Sequence, residues 1–510
     1  MQRVDRSGVQ THTDPRHAAR SRAIGGATAF VLLLGLARMT QVALHSPLLG
    51  YGNNWDFIKL SSTVGIWVDE PGVDRYAGHP SGPYSRYRSH GELSVDRRYL
   101  SSELLLVYPA IFVSDVLNRL RGVPRTHFDL RTLGAIKVIF FFIAGAFLST
   151  LFFHRSAWLG LLSALIFAAV ICDPINTLYF NTLYLDDSAV LFTYLAVGTA
   201  LLLISARSPP PWLMAAFCIA LVLAGWSKLQ HPGLPLALVL GYVIAQGRWG
   251  ADDRAVAWRL IPPLVAALIT LALASVYSRS RSLQGMAVAS STDVWFHMTL
   301  PSVRNPDAVL DSIGIPARCR AYIGKSWFHP GMDQLPCPEI FRLSRFQMVR
   351  TLLNEPPALG RILVHAVTIS RPSVLDFGHV EGRSFVPAEA EGLRFSSMAR
   401  LVDHLPPAAY AAWVLVSLVG GSVSLIALLV ARPVPGATFC LLLNAVFAAT
   451  LLASLLGDGF VDFARHMYLG HNALLISPVA AMVVVAGLRR RVGRRDVAPL
   501  PIDERSHADR

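Results

Sequence analysis

Four polar segments interrupt an otherwise apolar chain: Tyr51–Leu60 (YGNNWDFIKL), Asn176–Asp187 (NTLYFNTLYLDD), Ser227–Pro232 (SKLQHP) and Gly457–His466 (GDGFVDFARH). Each holds an acid, a base or both. Ionisable groups near lipid mark a functional site by default, because desolvating them is costly. In the first segment Asp56 follows Asn54 and Trp55. A carboxylate held at a membrane surface can deprotonate a hydroxyl, or bind a cation that does so. An ordinary loop aspartate beside interfacial aromatics is the plain alternative. In the second segment Asn181 and Tyr184 offer an amide and an aromatic face of the kind a sugar ring meets. Asp186 and Asp187 follow, just before an apolar run. Acids favour helix N-termini, so capping accounts equally well for one of that pair.

The third segment is short enough to force a tight hairpin. It carries Lys228 and Gln230. Lys228 can neutralise a phosphate as a point charge, or snorkel to the headgroups. In the fourth, Arg465 can bind phosphate through two parallel hydrogen bonds. His466 could act as a proton carrier near neutral pH or pair with a phosphate. Asp458 lies between two glycines that let the backbone approach a ligand. A solvated loop with local Asp–Arg pairing is the alternative there.

The elements that must position these residues are helices in a membrane. The chain has 510 residues, 53% hydrophobic and 15% charged, against roughly 25% charged for a soluble domain. Mean hydropathy is +0.45. Apolar runs recur at 23–45, 132–153, 156–173, 188–206, 212–227, 232–247, 259–278, 408–431, 436–456 and 472–488. An all-α polytopic membrane protein with about 10 spans (range about 9–12) is expected. Residues 100–118 form another apolar stretch with acids near its ends and a central proline. It suits a helix lying in the interface, re-entering, or spanning. Arginines decide between these topologies. Ten spans with both termini inside place Arg155, Arg207, Arg248, Arg254, Arg432 and the arginines of 489–495 on the cytoplasmic side.

The resulting plan has a cytoplasmic tail (1–22) and an N-terminal transmembrane region (23–278) with an outer loop at 46–131. A small extracytoplasmic domain (279–407), a C-terminal transmembrane region (408–488) and a cytoplasmic tail (489–510) follow. Interfacial helices are expected in the first outer loop. Helical apolar spacing marks 342–369. The same plan puts all four polar segments on the outer face of the plasma membrane. Arg38 and Lys137, inside apolar runs, are expected to snorkel. Cys319 and Cys337 share the long outer segment and could pair if it is exported. The formal charge of +13 follows the topology rather than a nucleic-acid surface. No phosphate-binding G-x-x-x-x-G-K-[ST], G-x-G-x-x-G, H-E-x-x-H or G-x-S-x-G is present.

An inside N-terminus, a first helix, a long outer loop with an early aspartate, and many spans with polar loops on that face resemble the GT-C superfamily. These are integral membrane glycosyltransferases that use polyprenyl-phosphate-linked sugars. Asp56 in NNWDF occupies the place of the family's early loop acid. Asn181–Asp187 is similar to its second polar loop, and Ser227–Gln230 to a lysine–glutamine loop of several members. The resemblance implies inverting sugar transfer, with Asp56 as the base. Lys228 and Arg465 would stabilise the departing phosphate. Trp55, Asn54, Asn181, Tyr184, Asp186, Asp187, Gln230, Asp458 and His466 would line the substrates. It implies a polyprenyl-phosphate-linked sugar donor and a glycan, lipid or protein acceptor, met at the bilayer. The first loop has no Asp-x-Asp, so no cofactor is required and a divalent metal remains an option. A transporter or lipid-linked glycan flippase is the alternative, requiring charged residues along a path within the spans. A non-catalytic envelope assembly protein, whose polar segments need not converge, is another.

Overall fold

Lipid offers no hydrogen-bond partners, so each long apolar run closes its own backbone bonds as a helix. The computed structural model describes residues 15–46, 48–51, 55–68, 86–89, 98–206, 208–246, 253–280, 283–371, 378–380, 383–384, 401–402, 404–430 and 435–495. The chain begins with α1 (Pro15–Ala43), β1 (Leu49–Tyr51), α2 (Trp55–Val64), β2 (Ile66–Val68), β3 (Arg86–Ser89), α3 (Leu104–Arg121), β4 (His127–Asp129) and α4 (Leu130–Arg155). Next come α5 (Ala157–Ile166), α6 (Pro174–Thr177), α7 (Asp186–Ile204), α8 (Pro211–Gly225), α9 (Gly233–Gln246) and α10 (Asp253–Tyr277). The segment after α10, expected on the outer side, holds α11 (Gln284–Thr292), α12 (Leu300–Ser302), α13 (Pro306–Ser312), α14 (Arg345–Asn354), α15 (Pro356–Ile369), β5 (Gly378–Val380) and β6 (Arg383–Ser384). It is followed by α16 (Pro407–Val430), α17 (Pro435–Gly457), α18 (Phe463–His466) and α19 (Tyr468–Arg495).

A helix lies at each of the ten expected spans. Among the described residues, α1, α4, α7, α10, α16 and α17 are long and apolar enough to cross a bilayer. The α5, α8 and α9 segments are shorter apolar helices. On α10, Ile261, Leu268, Ile269, Leu273 and Val276 point outward, an apolar face that suits lipid and not water. Residues 100–118 become α3, a helix outside the six spanning candidates that ends at left-handed Gly122.

The outer regions are less purely helical than expected. The first outer loop contributes α2 and α3, but also β2, β3 and β4, which pair antiparallel in that order. A second small sheet joins β1 to β5 and β6, with Leu49 opposite Val380, tying the first outer loop to the long outer segment. The 342–369 stretch is two helices rather than one. A capping box between Ser344 and Gln347 starts α14, and Pro356 starts α15. Cys319 and Cys337 are bonded, with Cα atoms 5.6 Å apart.

Two ion-pair clusters correct the snorkelling expectation. Lys137, fully buried on α4, pairs with Asp187 at 2.6 Å and Glu103 at 2.9 Å. It also donates to the Tyr179 and Thr182 carbonyls. Glu103 in turn accepts the Ser188 amide at 2.8 Å, within the first turn of α7. The opening of α7 is therefore satisfied by Glu103, just before α3, and not by Asp186 or Asp187 as caps. Arg38 on α1 likewise turns inward, to Asp173 at 2.7 Å and the Ala168 carbonyl at 3.1 Å. Both cations were close enough to buried acids to pair, and a paired buried charge avoids the desolvation cost of an isolated one.

Candidate active site

The four polar segments meet. A cavity of about 1080 Å³ opens where three of them converge, and the fourth braces it. Its polar end is lined by Lys59 from α2, Lys228, Gln230 and His231 from the α8–α9 turn, and Asp458 and His466 from the turn after α17. Its other end is an apolar furrow between α9 (Leu236, Leu240, Ile244) and α17 (Ala445, Leu452, Leu456). Gly241 keeps the two helices close, since a Cβ there would meet Leu442 at 3.1 Å.

Each polar side chain is held. Lys228 donates to Asp186, which lies behind it and carries no exposed surface. Asp186 has a second carboxylate oxygen, buried without a hydrogen-bond partner among the described residues, and its backbone carbonyl accepts from the Tyr468 hydroxyl. Gln230 donates to Asp458, and His466 Nε2 lies 3.2 Å from the same carboxylate. One acid thus joins two of the converging segments. The His231 ring meets the Ser227 hydroxyl at 2.7 Å. Burial first, and then the Lys228 charge, push its pKa down to about 3, so the ring is neutral at physiological pH.

The turn carrying Asp458 depends on its glycine. Gly459 sits at φ +60°, and a Cβ there would meet the Asp293 carbonyl at 3.1 Å. Asp293 follows α11 and accepts the Trp327 amide at 2.6 Å. Burial raises its carboxyl to about 7. The segment carrying Asp293 is thus pressed directly against the turn that carries Asp458.

Some expected site residues lie elsewhere. Asn181 is buried and donates to the Leu49 carbonyl at 2.9 Å, which fixes β1 rather than a ligand. Tyr184 is buried too, its ring 5.9 Å from that of Tyr179. Asp187 is committed to Lys137. Arg465 does not reach the cavity: its guanidinium lies 5.6 Å over the Tyr184 ring and 3.2 Å from Asp462. These four brace the site from behind because each finds an internal partner. Asp56 falls in the first turn of α2, one turn before cavity-lining Lys59. The side chains of Trp55 and Asp56, and all of Asn54, lie outside the described residues.

Sequence reasoning assigned no role to Lys59, Glu103 or Arg345, and only snorkelling to Lys137. Glu103 and Lys137 did carry a signal, since charges in apolar stretches are rare and usually paired or functional. Among the described residues, one cluster of potential metal ligands brings its atoms together: Cys319, Cys337 and Glu339. Its thiols are spent in the disulfide.

Fold and site together define a polytopic helical membrane protein with a lateral cavity, charged at one end and apolar along its length. Residues 16–499 match the family model described as the YfdI N-terminal transmembrane domain, and the chain belongs to that family, which is GT-C-like. No curated protein matches the chain significantly. It is similar to two structures of an oligosaccharyltransferase from Archaeoglobus fulgidus. One is AglB in complex with an inhibitory peptide and a dolichol-phosphate, at 14% identity and TM-score 0.38. The other is the apo form, at 15% identity and TM-score 0.38. In each case 93% of this chain is covered, and the chain spans 52% of the other.

Proposed function

We propose that this chain is a membrane glycosyltransferase of the GT-C type. It moves a sugar from a polyprenyl-phosphate carrier to a glycan, lipid or protein acceptor on the outer face of the plasma membrane. The observation that carries the reading is the single cavity joining Lys228 and His466 to the apolar furrow between α9 and α17. A polyprenyl chain fits such a furrow, and its phosphate then meets the polar end. The acceptor hydroxyl oxygen attacks the anomeric carbon, and the bond from that carbon to the phosphate oxygen breaks. The hydroxyl proton passes to Asp56, the candidate base. Charge growing on the departing phosphate lies beside Lys228, which Asp186 holds in place. A fixed cation at a poorly solvated site stabilises that charge without reorganising. No step needs a metal.

Two observations favour this reading over its rivals. Arg38 and Lys137, the chief cations within the spans, are locked to Asp173 and to Glu103 with Asp187, so they do not line a transport path. Convergence of the polar segments is unnecessary for an assembly scaffold. The Cys319–Cys337 bond suits an oxidising compartment, and supports an outer-face location for the 279–407 segment and the cavity beside it. The test is mass spectrometry of lipid-linked sugars in a strain lacking the gene. A polyprenyl-phosphate sugar should accumulate, and wild-type protein but not Asp56→Asn should clear it. An unchanged pool of such lipids would remove the proposal.

A further inference from the structure

One wall of the cavity comes from the outer segment, where the sequence reading placed no site residue. Ser290, Ser291 and Arg345 line it. Arg345 is the first residue of α14, and the Ser344–Gln347 capping box fixes where that helix starts and hence where Arg345 emerges. Its Nη2 donates to the Ser290 hydroxyl at 2.8 Å and to the Gly457 carbonyl at 3.3 Å, and its Nη1 reaches Ser291 at 3.4 Å. Ser290 donates to the same Gly457 carbonyl. These bonds seat the guanidinium against the turn that carries Asp458. A guanidinium has five N–H donors, so these three contacts leave others for a ligand. Among the described side chains, Lys59, Lys228 and Arg345 together outnumber Asp458 and the Asp186 behind Lys228. Asp293 faces the same region, and its carboxyl, raised to about 7 by burial, carries only part of a charge at neutral pH.

The geometry points to Arg345 as a phosphate-positioning residue that acts with Lys228 on the lipid-linked donor. The outer segment then completes the donor site instead of merely covering it. Arg345 takes the part that the sequence alone assigned to Arg465. The inference rests on the proposed function, and adds to it which cation binds and from which segment.

The test uses the full chain in nanodiscs and compares undecaprenyl monophosphate with undecaprenol, which has the same tail and no phosphate. Wild-type protein should prefer the phosphate form. Arg345→Gln keeps hydrogen-bond donors but loses the charge, and should cut affinity for the phosphate form about tenfold, ~1.4 kcal/mol. Its undecaprenol affinity should not change. Arg345→Lys should retain most of the preference. Arg318→Gln, whose exposed side chain pairs with Glu339 away from the cavity, should alter neither affinity. Full phosphate preference in Arg345→Gln overturns the inference. So does equal loss of both lipids, which would mark a purely structural residue. A wild-type protein with no phosphate preference, or one whose bound phosphate lipid is displaced by phosphatidylglycerol, overturns the donor reading itself.

Discussion

At the scale of single residues, the site is a set of charges that each have an assigned neighbour. Lys228, Gln230, Asp458 and His466 were legible in the sequence as polar groups in short loops, and they do line one cavity. Arg465 was not legible in the same way. Chain position told which turn it belonged to, but not that its side chain would lie over Tyr184. That direction is set by local backbone: Asp462 is left-handed at φ 46° just before the single-turn α18. Asp187 and Glu103 hid their roles for a different reason, since Lys137, which pairs with both, comes from another helix, α4. Two outcomes are expected here. Asp56→Asn should abolish sugar transfer in a purified assay while leaving the melting temperature within experimental error. Wild-type rates from that variant would remove Asp56 as base. Lys137→Met should be far more damaging to folding, because it strands two buried carboxylates. A loss of about 3–5 kcal/mol is expected, as for a broken buried pair. Adding Glu103→Gln and Asp187→Asn to the same chain should recover much of it. Thermal unfolding in detergent reads both, and failure of the triple variant to improve on the single one would contradict the ion-pair account.

At the scale of elements, the important joint is between the outer segment and the turn after α17. Helices were readable from apolar run length, because the membrane leaves the backbone no other choice. The small sheets were not, since three- and four-residue strands carry too little pattern to separate from loop. The joint itself depends on Gly459 and Asp293. Gly459→Ala forces a side chain into the left-handed region and towards the Asp293 carbonyl. It should cost about 1–2 kcal/mol and lower transfer. Asp293 makes the joint pH-dependent. Its folded pKa, about 7, lies above the ordinary 3.8 because burial disfavours the charged form. The folded state therefore holds the proton more tightly than the unfolded one. The stabilisation is complete below about pH 4 and falls away as pH rises towards 7. Hydrogen exchange across α11 and the 327–345 stretch should show that loss in wild-type protein. Asp293→Asn, measured at the same pH values, should lack it. Identical pH dependence in both proteins would show that Asp293 does not govern the joint.

At the scale of the whole molecule, the chain is a helical membrane domain that uses the segment between α10 and α16 as part of its cavity wall. The sequence revealed the spans and the clustering of polar turns, because hydropathy and loop charge are one-dimensional signals. It could not reveal that 279–407 folds back onto the first outer loop through β1 and β5, because that pairing joins residues far apart in the chain. The disulfide acts within the same segment. It closes a loop of 18 residues, and its removal should cost the outer segment about 3 kcal/mol. Limited proteolysis of Cys319→Ser/Cys337→Ser should cut that segment first, with the spans intact. The central claim is that one lateral cavity holds a polyprenyl phosphate, tail in the furrow and phosphate at Lys228. Photo-crosslinking in nanodiscs with a diazirine-tailed polyprenyl phosphate tests it most directly. Labelled peptides should come from α9 around Leu236–Ile244 and from α17 around Leu441–Leu456, and excess unlabelled polyprenyl phosphate should remove them. Labelling spread over the lipid-facing surfaces of α10 and α16, with none in the furrow, would contradict the account.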